Sequence, residues 1–280
     1  MISFRQMNED DIAAGLSLCR AVGWNQLARD WEIFLKLNRQ GCLVAENNNI
    51  VIGTVTAMRY QSSLSWIGMV LVNPLFRGQG LGTKLLGEIL KSIPYKGTIK
   101  LDATSAGREV YKKLNFVDQY RICRMEGIAS VKTGGAFNIR PIQPKDLDAI
   151  ANFDHAIFGA DRSELLQLLF EGAPHLAFMI KEGNNILGYC FGRNGYQFMQ
   201  VGPIVAINNN VAKELAIAAL KSCVGQQVIL DVITLNDEWI NWLISIGFTE
   251  QRSFMRMCRG TNIYPDMIDK QFAIVGPESG

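Results

Sequence analysis

The stretch from Val72 to Leu86, VNPLFRGQGLGTKLL, holds the residues best suited to chemistry. A proline turn leads to Arg77, then Gly78, Gly80 and Gly82 alternate with Gln79 and Leu81, and Thr83 opens a run of apolar residues at helical spacing. Glycines at a helix entrance let several backbone N–H groups converge on one point, with the positive end of the helix dipole behind them. Such a point binds anions, phosphate above all. The phosphate loop GxxxxGK[ST] is absent, because Lys84 follows Thr83 without the glycine pair that pattern requires. A dinucleotide GxGxxG fits only in part. Gly78 and Gly80 are followed by Thr83 where a third glycine belongs, and four elements precede the loop, whereas a dinucleotide fold opens with it.

The chain around this loop has 280 residues, a length that predicts about two domains. The net charge is +2 with no stripe of lysine and arginine, which argues against nucleic acid and anionic membranes as partners. The opening MISFRQMNEDD lacks the apolar core of a signal peptide, and no apolar run reaches membrane-spanning length, so a cytoplasmic protein is expected. Cys19, Cys42, Cys123, Cys190, Cys223 and Cys258 are scattered without CxxC spacing, and His155 and His175 lie far from any cysteine pair. Reduced, buried thiols and no metal are the expectation.

The chain contains the same unit twice. FRQMNEDDI (Phe4 to Ile12) aligns with IRPIQPKDL (Ile139 to Leu147), pairing Arg5 with Arg140 and Asp11 with Asp146. VAENNNIVIG matches MIKEGNNILG, and FVDQYRICRM (Phe116 to Met125) matches FTEQRSFMRM (Phe248 to Met257). The expected division is a first domain over 1–127, a linker over 128–137 and a second domain over 138–260. A tail over 261–280 follows, with its apolar FAIV packed. Each copy reads as a short strand, an acid-capped helix, a hairpin around an Asn-rich turn, a long apolar strand, a helix, a strand, a helix and a closing strand. That order predicts an α/β protein with a mixed, largely antiparallel sheet flanked by helices in each copy.

At this point the residues resemble a known family. Arg77-Gly78-Gln79-Gly80-Leu81-Gly82 resembles the [QR]xxGx[GA] acyl-CoA signature of the GCN5-related N-acetyltransferases (the GNAT superfamily). The family's hydrophobic strand and V-x-P precede it, here Val72-Asn73-Pro74. Downstream, VYKKLNF (Val110 to Phe116) is similar to the family's LYxKxGF helix end, with Asn115 in place of glycine. The resemblance implies that the backbone from Arg77 to Thr83 holds the pyrophosphate of acetyl-CoA, a co-substrate, and that pantetheine runs along Val70-Leu71-Val72. It implies Tyr111 as the acid that protonates the leaving thiolate, by direct transfer to an attacking amine. The family's acidic base on the preceding strand is missing from SSLSWIGMVLV, and Thr104 stands where many relatives carry asparagine.

The second copy is four residues shorter across the segment that contains the loop, and INNNVAKEL there has neither glycine nor arginine. Tyr111 corresponds to Leu243. The second copy is therefore expected to be a degenerate GNAT-like domain that shapes the acceptor pocket. Asp161 and Arg162, in FDHAIFGADR, are its candidate contributors, and Trp24 and Asn25 those of the first copy. Trp31, Phe34 and Leu35 fit a core stripe. The leading reading is an N-acetyltransferase acting on a small-molecule amine. The second is an acyl-CoA-binding sensor without turnover.

Overall fold

The structure is a computed structural model describing residues 2–61, 64–93, 97–130, 137–261 and 266–280. The first copy runs β1 (Ile2–Gln6), α1 (Ile12–Ala21), α2 (Ala28–Asn38), β2 (Cys42–Asn47), β3 (Ile50–Tyr60), β4 (Leu64–Val72), α3 (Leu81–Ser92), β5 (Thr98–Ala103), α4 (Ser105–Lys112) and β6 (Val117–Ile128). The second repeats that order: β7 (Ile139–Pro141), α5 (Leu147–Phe158), α6 (Ser163–Gly172), β8 (Phe178–Glu182), β9 (Asn185–Arg193), β10 (Met199–Ala206), α7 (Asn209–Lys221), β11 (Gln227–Ile233), α8 (Asp237–Ser245) and β12 (Thr249–Arg259). The tail adds β13 (Gln271–Ala273).

The repeated residue types have repeated structural work. Arg5 donates both terminal nitrogens to Asp11 at 2.7 Å, and Arg140 does the same to Asp146 at 2.7 Å. Each aspartate also accepts the backbone N–H three residues earlier, at Asn8 and at Gln143, so each pair ties the end of an edge strand to the helical turn after it. The hairpin turns are as the sequence suggests: Asn48 and Asn49 take φ of 51° and 62°, and Gly183 takes 57°.

Across the sheet the order is β1-β2-β3-β4-β5-β12-β6-β11-β10-β9-β8-β7, with β13 antiparallel against β10. The two closing strands have changed places. β12, from the second copy, pairs with β5 of the first, setting Met257 opposite Leu101. β6, from the first copy, pairs with β11 of the second, setting Leu230 opposite Met125. The break near residue 128 thus divides the sequence repeat without dividing the sheet. Of the expected linker, residues 131–136 lie outside the described residues.

Packing follows the exchange. On one face α1, α2, α5 and α6 share a single core in which Trp31 and Phe34 meet Phe158, Leu165 and Leu169. On the other face α3 and α4 cover the first copy, while α7 and α8 cover the second. Trp31, Phe34 and Leu35 are buried core residues, as their spacing predicts. So are all six cysteines, each a free thiol. The FAIV segment packs, and everything from Gln271 to Gly280 is buried except the half-buried Pro277.

Candidate active site

β4 and β5 pair in parallel from Leu64 opposite Thr98 to Ile67 opposite Leu101, and beyond that point they diverge. The divergence begins at a bulge, where Met69 takes a φ of 50° and its carbonyl accepts the Thr54 hydroxyl at 2.8 Å. Gly68 to Val72 therefore keep only β3 as a partner, and a cleft opens along them.

The glycine loop sits at the end of this strand. Asn73 caps the turn Pro74–Phe76, accepting from Leu75 N at 3.0 Å. Arg77 Nε donates to Val72 O at 3.2 Å, which turns that side chain back onto the strand. Gly78 and Gly80 take φ of 76° and 74°, conformations in which L side chains are strained, and no atom lies within 4 Å of where a Cβ would point. α3 then starts with no side-chain cap. Lys84 N is the first amide to bond within the helix, to Gly80 O at 3.0 Å, so those of Leu81, Gly82 and Thr83 remain free donors among the described residues. Glycines with open space and an uncapped first turn together fit a pyrophosphate.

The second copy closes both features. The first turn of α7 is capped by Asn208, whose side chain accepts from Val211 N at 3.0 Å. The divergence between β10 and β11 is filled by β13, and a Cβ on Gly202 would meet Ile274 O at 2.1 Å. Leu243, the counterpart of Tyr111, is buried in the core.

Tyr111 lines the cleft together with Val70, Met69 and Thr104. Its ring stands edge-on to Phe116, with centroids 6.1 Å apart, and packs against Gly107. Its hydroxyl has no hydrogen-bond partner among the described residues, and burial pushes its pKa up to about 12. The helix end that carries it closes on Asn115, which takes the left-handed φ of 64° that the missing glycine would have supplied. Thr104 caps α4 through Gly107 N, and both oxygens of Asp102 are held by Arg256 at 2.8 Å, so neither is a free base.

The acceptor side differs from expectation. Trp24 does line the cleft. Asn25 does not: it clamps the second copy, accepting from Gln197 N and Phe198 N at 2.9 and 3.0 Å and donating to Phe198 O at 2.9 Å. Asp161 is taken up by the turn that enters α6, accepting from Ser163 N at 2.8 Å. Arg162 is buried, paired through two nitrogens with Asp154 at 2.8 and 2.9 Å, and bonded to Gly280 O at 2.9 Å. An arginine in that geometry neutralises a buried acid and holds down the tail, away from the cleft.

The second copy reaches the cleft by another route. Exchanged β12 contributes Arg252 and Phe254, β6 contributes Arg124, and the tail contributes Pro277 and Glu278. Arg124 is bound twice by Asp231 at 2.7 Å. Gln200 links Asp231 to Arg193, and Arg193 holds Asp30 at 2.7 Å and Glu278 at 2.5 Å. Gln26 Nε2 donates to the same Glu278 oxygen at 3.2 Å. Glu278 thus brings to the cleft a carboxylate, a group type that the sequence of β4 lacks. Sequence reasoning missed it because the tail falls outside the repeat, where no alignment of the copies can reach.

Two family models described as "Acetyltransferase (GNAT) domain" match the chain, one over residues 38–118 and the other over 150–273. The holothin acyltransferase of Pseudoalteromonas sp. is 29% identical over 238 residues, covering 85% of this chain and 81% of that protein. The crystal structure of a Pyrococcus horikoshii protein, provisionally described as an acetyltransferase, superposes with a TM-score of 0.84 at 24% identity, covering 100% of this chain and 96% of that one. A tandem GNAT protein from the clavulanic acid biosynthesis pathway gives a TM-score of 0.67 at 12% identity, covering 94% and 100%. Fold and sequence together define an acyltransferase. The chain belongs to the GNAT superfamily, among its tandem-domain members.

Proposed function

We propose that the first copy transfers an acetyl group from acetyl-CoA to an amine of a small-molecule acceptor in the cleft between β4 and β5. The observation that carries this is the contrast between the two helix entrances: α3 is uncapped behind glycines with open space, while α7 is capped and its strand divergence is filled by β13. The free amides of Leu81, Gly82 and Thr83, with the backbone of Arg77 to Gly80, receive the pyrophosphate. Val70, Leu71 and Val72 offer an unpaired strand edge to pantetheine, and their amides stabilise charge on the thioester oxygen.

Glu278 accepts a proton from the acceptor ammonium, and the amine nitrogen attacks the thioester carbon. The C–S bond breaks, and the Tyr111 hydroxyl protonates the leaving sulfur. The phenolate recovers the second nitrogen proton through solvent. An amide, a free thiol and a protonated Glu278 result. The raised pKa of Tyr111 keeps its proton available for this step at neutral pH.

Release of free thiol from acetyl-CoA across a panel of amines tests the proposal. Tight acetyl-CoA binding with no release for any amine would favour the sensor reading, against which the buried carboxylate of Glu278 in the cleft already weighs. The buried free thiols suit a cytoplasmic setting.

A further inference from the structure

The cleft that Tyr111 lines also carries a cation without an ion-pair partner among the described residues. The strand exchange sets Arg252 of β12 directly across from Arg124 of β6. Like charges facing each other across a ladder repel unless each finds an opposite charge. Arg124 has Asp231, through two hydrogen bonds of 2.7 Å. Arg252 makes no ion pair or hydrogen bond among the described residues, and its Nε is buried without a partner. Its guanidinium carbon lies 5.5 Å from the centre of the Phe254 ring. Burial and the charge of Arg124 lower its pKa to about 10, the signature of a cation short of a counter-charge.

A second orphan lines the same cleft with the opposite polarity. Gln26 donates to Glu278 through Nε2, while its Oε1 is buried and accepts from nothing among the described residues. Glu278 itself is one of two carboxylates, with Asp30, that share Arg193. Among the described residues the cleft therefore lacks an anion at Arg252 and an N–H donor at Gln26 Oε1. An unpaired polar group of this kind is costly in the free protein, and a ligand that pairs it recovers that cost on binding.

We propose that the acceptor is an amino acid in the broad sense, a small compound carrying both an amine and a carboxylate. Its carboxylate pairs with Arg252 and its ammonium sits between Gln26 and Glu278. This deepens the acyl-transfer reading and rests on it for the chemistry, though not for the binding. The carboxylate contact is bidentate-capable and charge-assisted, a kind of interaction worth about ten- to a hundredfold in binding.

The test pairs amino acids of increasing amine-to-carboxylate spacing with the amines left by removing the carboxylate. Thiol release from acetyl-CoA gives kcat/KM for each, and melting temperature with and without CoA gives binding without turnover. At least one acid should exceed its matched amine by about tenfold or more. Arg252→Gln should collapse that ratio towards one, and Arg252→Lys should restore part of it. Turnover with no preference for any acid, or a preference that survives Arg252→Gln, overturns the inference and leaves acyl transfer standing. Thermal protection by acids that is lost in Arg252→Gln, with no thiol release for any amine, upholds the acceptor site and overturns acyl transfer. Neither protection nor release overturns both.

Discussion

The main chain of Glu278 lies so close to Gly68 that a Cβ added to Gly68 would stand 2.6 Å from the Glu278 carbonyl oxygen and 2.8 Å from its Cα. Gly68 belongs to β4, the strand whose sequence offers no acid, and its missing side chain is the space through which the tail enters. Tyr60 and Trp66 fix that entry, donating to Ser279 O at 2.6 Å and to Pro277 O at 3.1 Å. A segment more than two hundred residues away in the chain thus sets Glu278 in the lining of the cleft beside this strand.

Glu278→Gln should accordingly lower turnover by about a hundredfold, the usual scale of general-base loss. Acetyl-CoA affinity should stay within about twofold, because the loop proposed to hold its pyrophosphate lies elsewhere. The deficit should narrow as the pH rises and more of the acceptor amine is neutral without help. Turnover equal to wild type would leave Glu278 with a purely structural pairing to Arg193.

Gly80→Asp should weaken acetyl-CoA binding by about a hundredfold, since an anion placed at the cradle opposes the pyrophosphate at a cost of several kcal/mol. Titration calorimetry reads this directly. A matching change in the second copy, Asn208→Ala, uncaps α7 and should cost about 1 kcal/mol of stability. It should leave one acetyl-CoA per chain, because β13 still fills the neighbouring divergence. A second equivalent of bound acetyl-CoA in that variant would show that both copies retain a site.

Tyr111→Phe should reduce kcat by about a hundredfold at unchanged acetyl-CoA affinity. The hydroxyl has no hydrogen-bond partner to lose among the described residues, so the melting temperature should barely move. Burial holds its pKa near 12, so ionisation of Tyr111 should not lower the wild-type rate below about pH 10. An undiminished kcat in the variant would reduce Tyr111 to a packing residue against Phe116.

How much of this the sequence revealed depends on where each residue's partners lie along the chain. The glycine-rich turn into α3, Asn115 and the hairpins are local, settled within a few residues, and were legible, whereas the alignment of Arg5 with Arg140 and of Asp11 with Asp146 marked the repeat without showing that each arginine binds its own aspartate. Trp24 was found through its position after a glycine. Asn25, beside it, was misread because its partners, Gln197 and Phe198, belong to the other copy. Arg162 was misread for the same kind of reason: the spacing of Asp161 and Arg162 shows a charge pair but not that Asp154 and Gly280 enclose the arginine. The strand exchange leaves no local trace. A closing strand has the same alternation whichever copy's sheet receives it, so the placing of Arg252 and Phe254 in the first copy's cleft required the fold.

The buried thiols make alkaline pH destabilising. Burial pushes Cys19, Cys42 and Cys190 up to about 12. Because these folded pKa values are raised, the stability they contribute is fully present below the unfolded thiol pKa of about 8.5 to 9, and is lost as pH rises from there towards 12. The melting temperature should hold between about pH 6 and 8 and fall from about pH 9 upward, more gently in Cys190→Ala. A thiol reagent at neutral pH should find all six cysteines silent until the chain unfolds. Rapid modification of any of them in the native protein would contradict their burial.

The last test separates the tail's support of the fold from its chemistry. Gly202→Ala places a Cβ 2.1 Å from Ile274 O, where β13 fills the divergence of β10 and β11. Main chain cannot yield there as a flexible side chain would, so the tail must shift, at a cost of about 1 to 3 kcal/mol in stability. Glu278 lies four residues beyond Ile274 and should move with it. The expected result is a lower melting temperature and reduced turnover, while acetyl-CoA binding at the distant loop of α3 is retained. Full turnover at temperatures where the variant remains folded would mean that the tail stabilises the sheet without serving the reaction. Loss of turnover at retained acetyl-CoA affinity would tie the divergence filled in the second copy to the carboxylate delivered to the first.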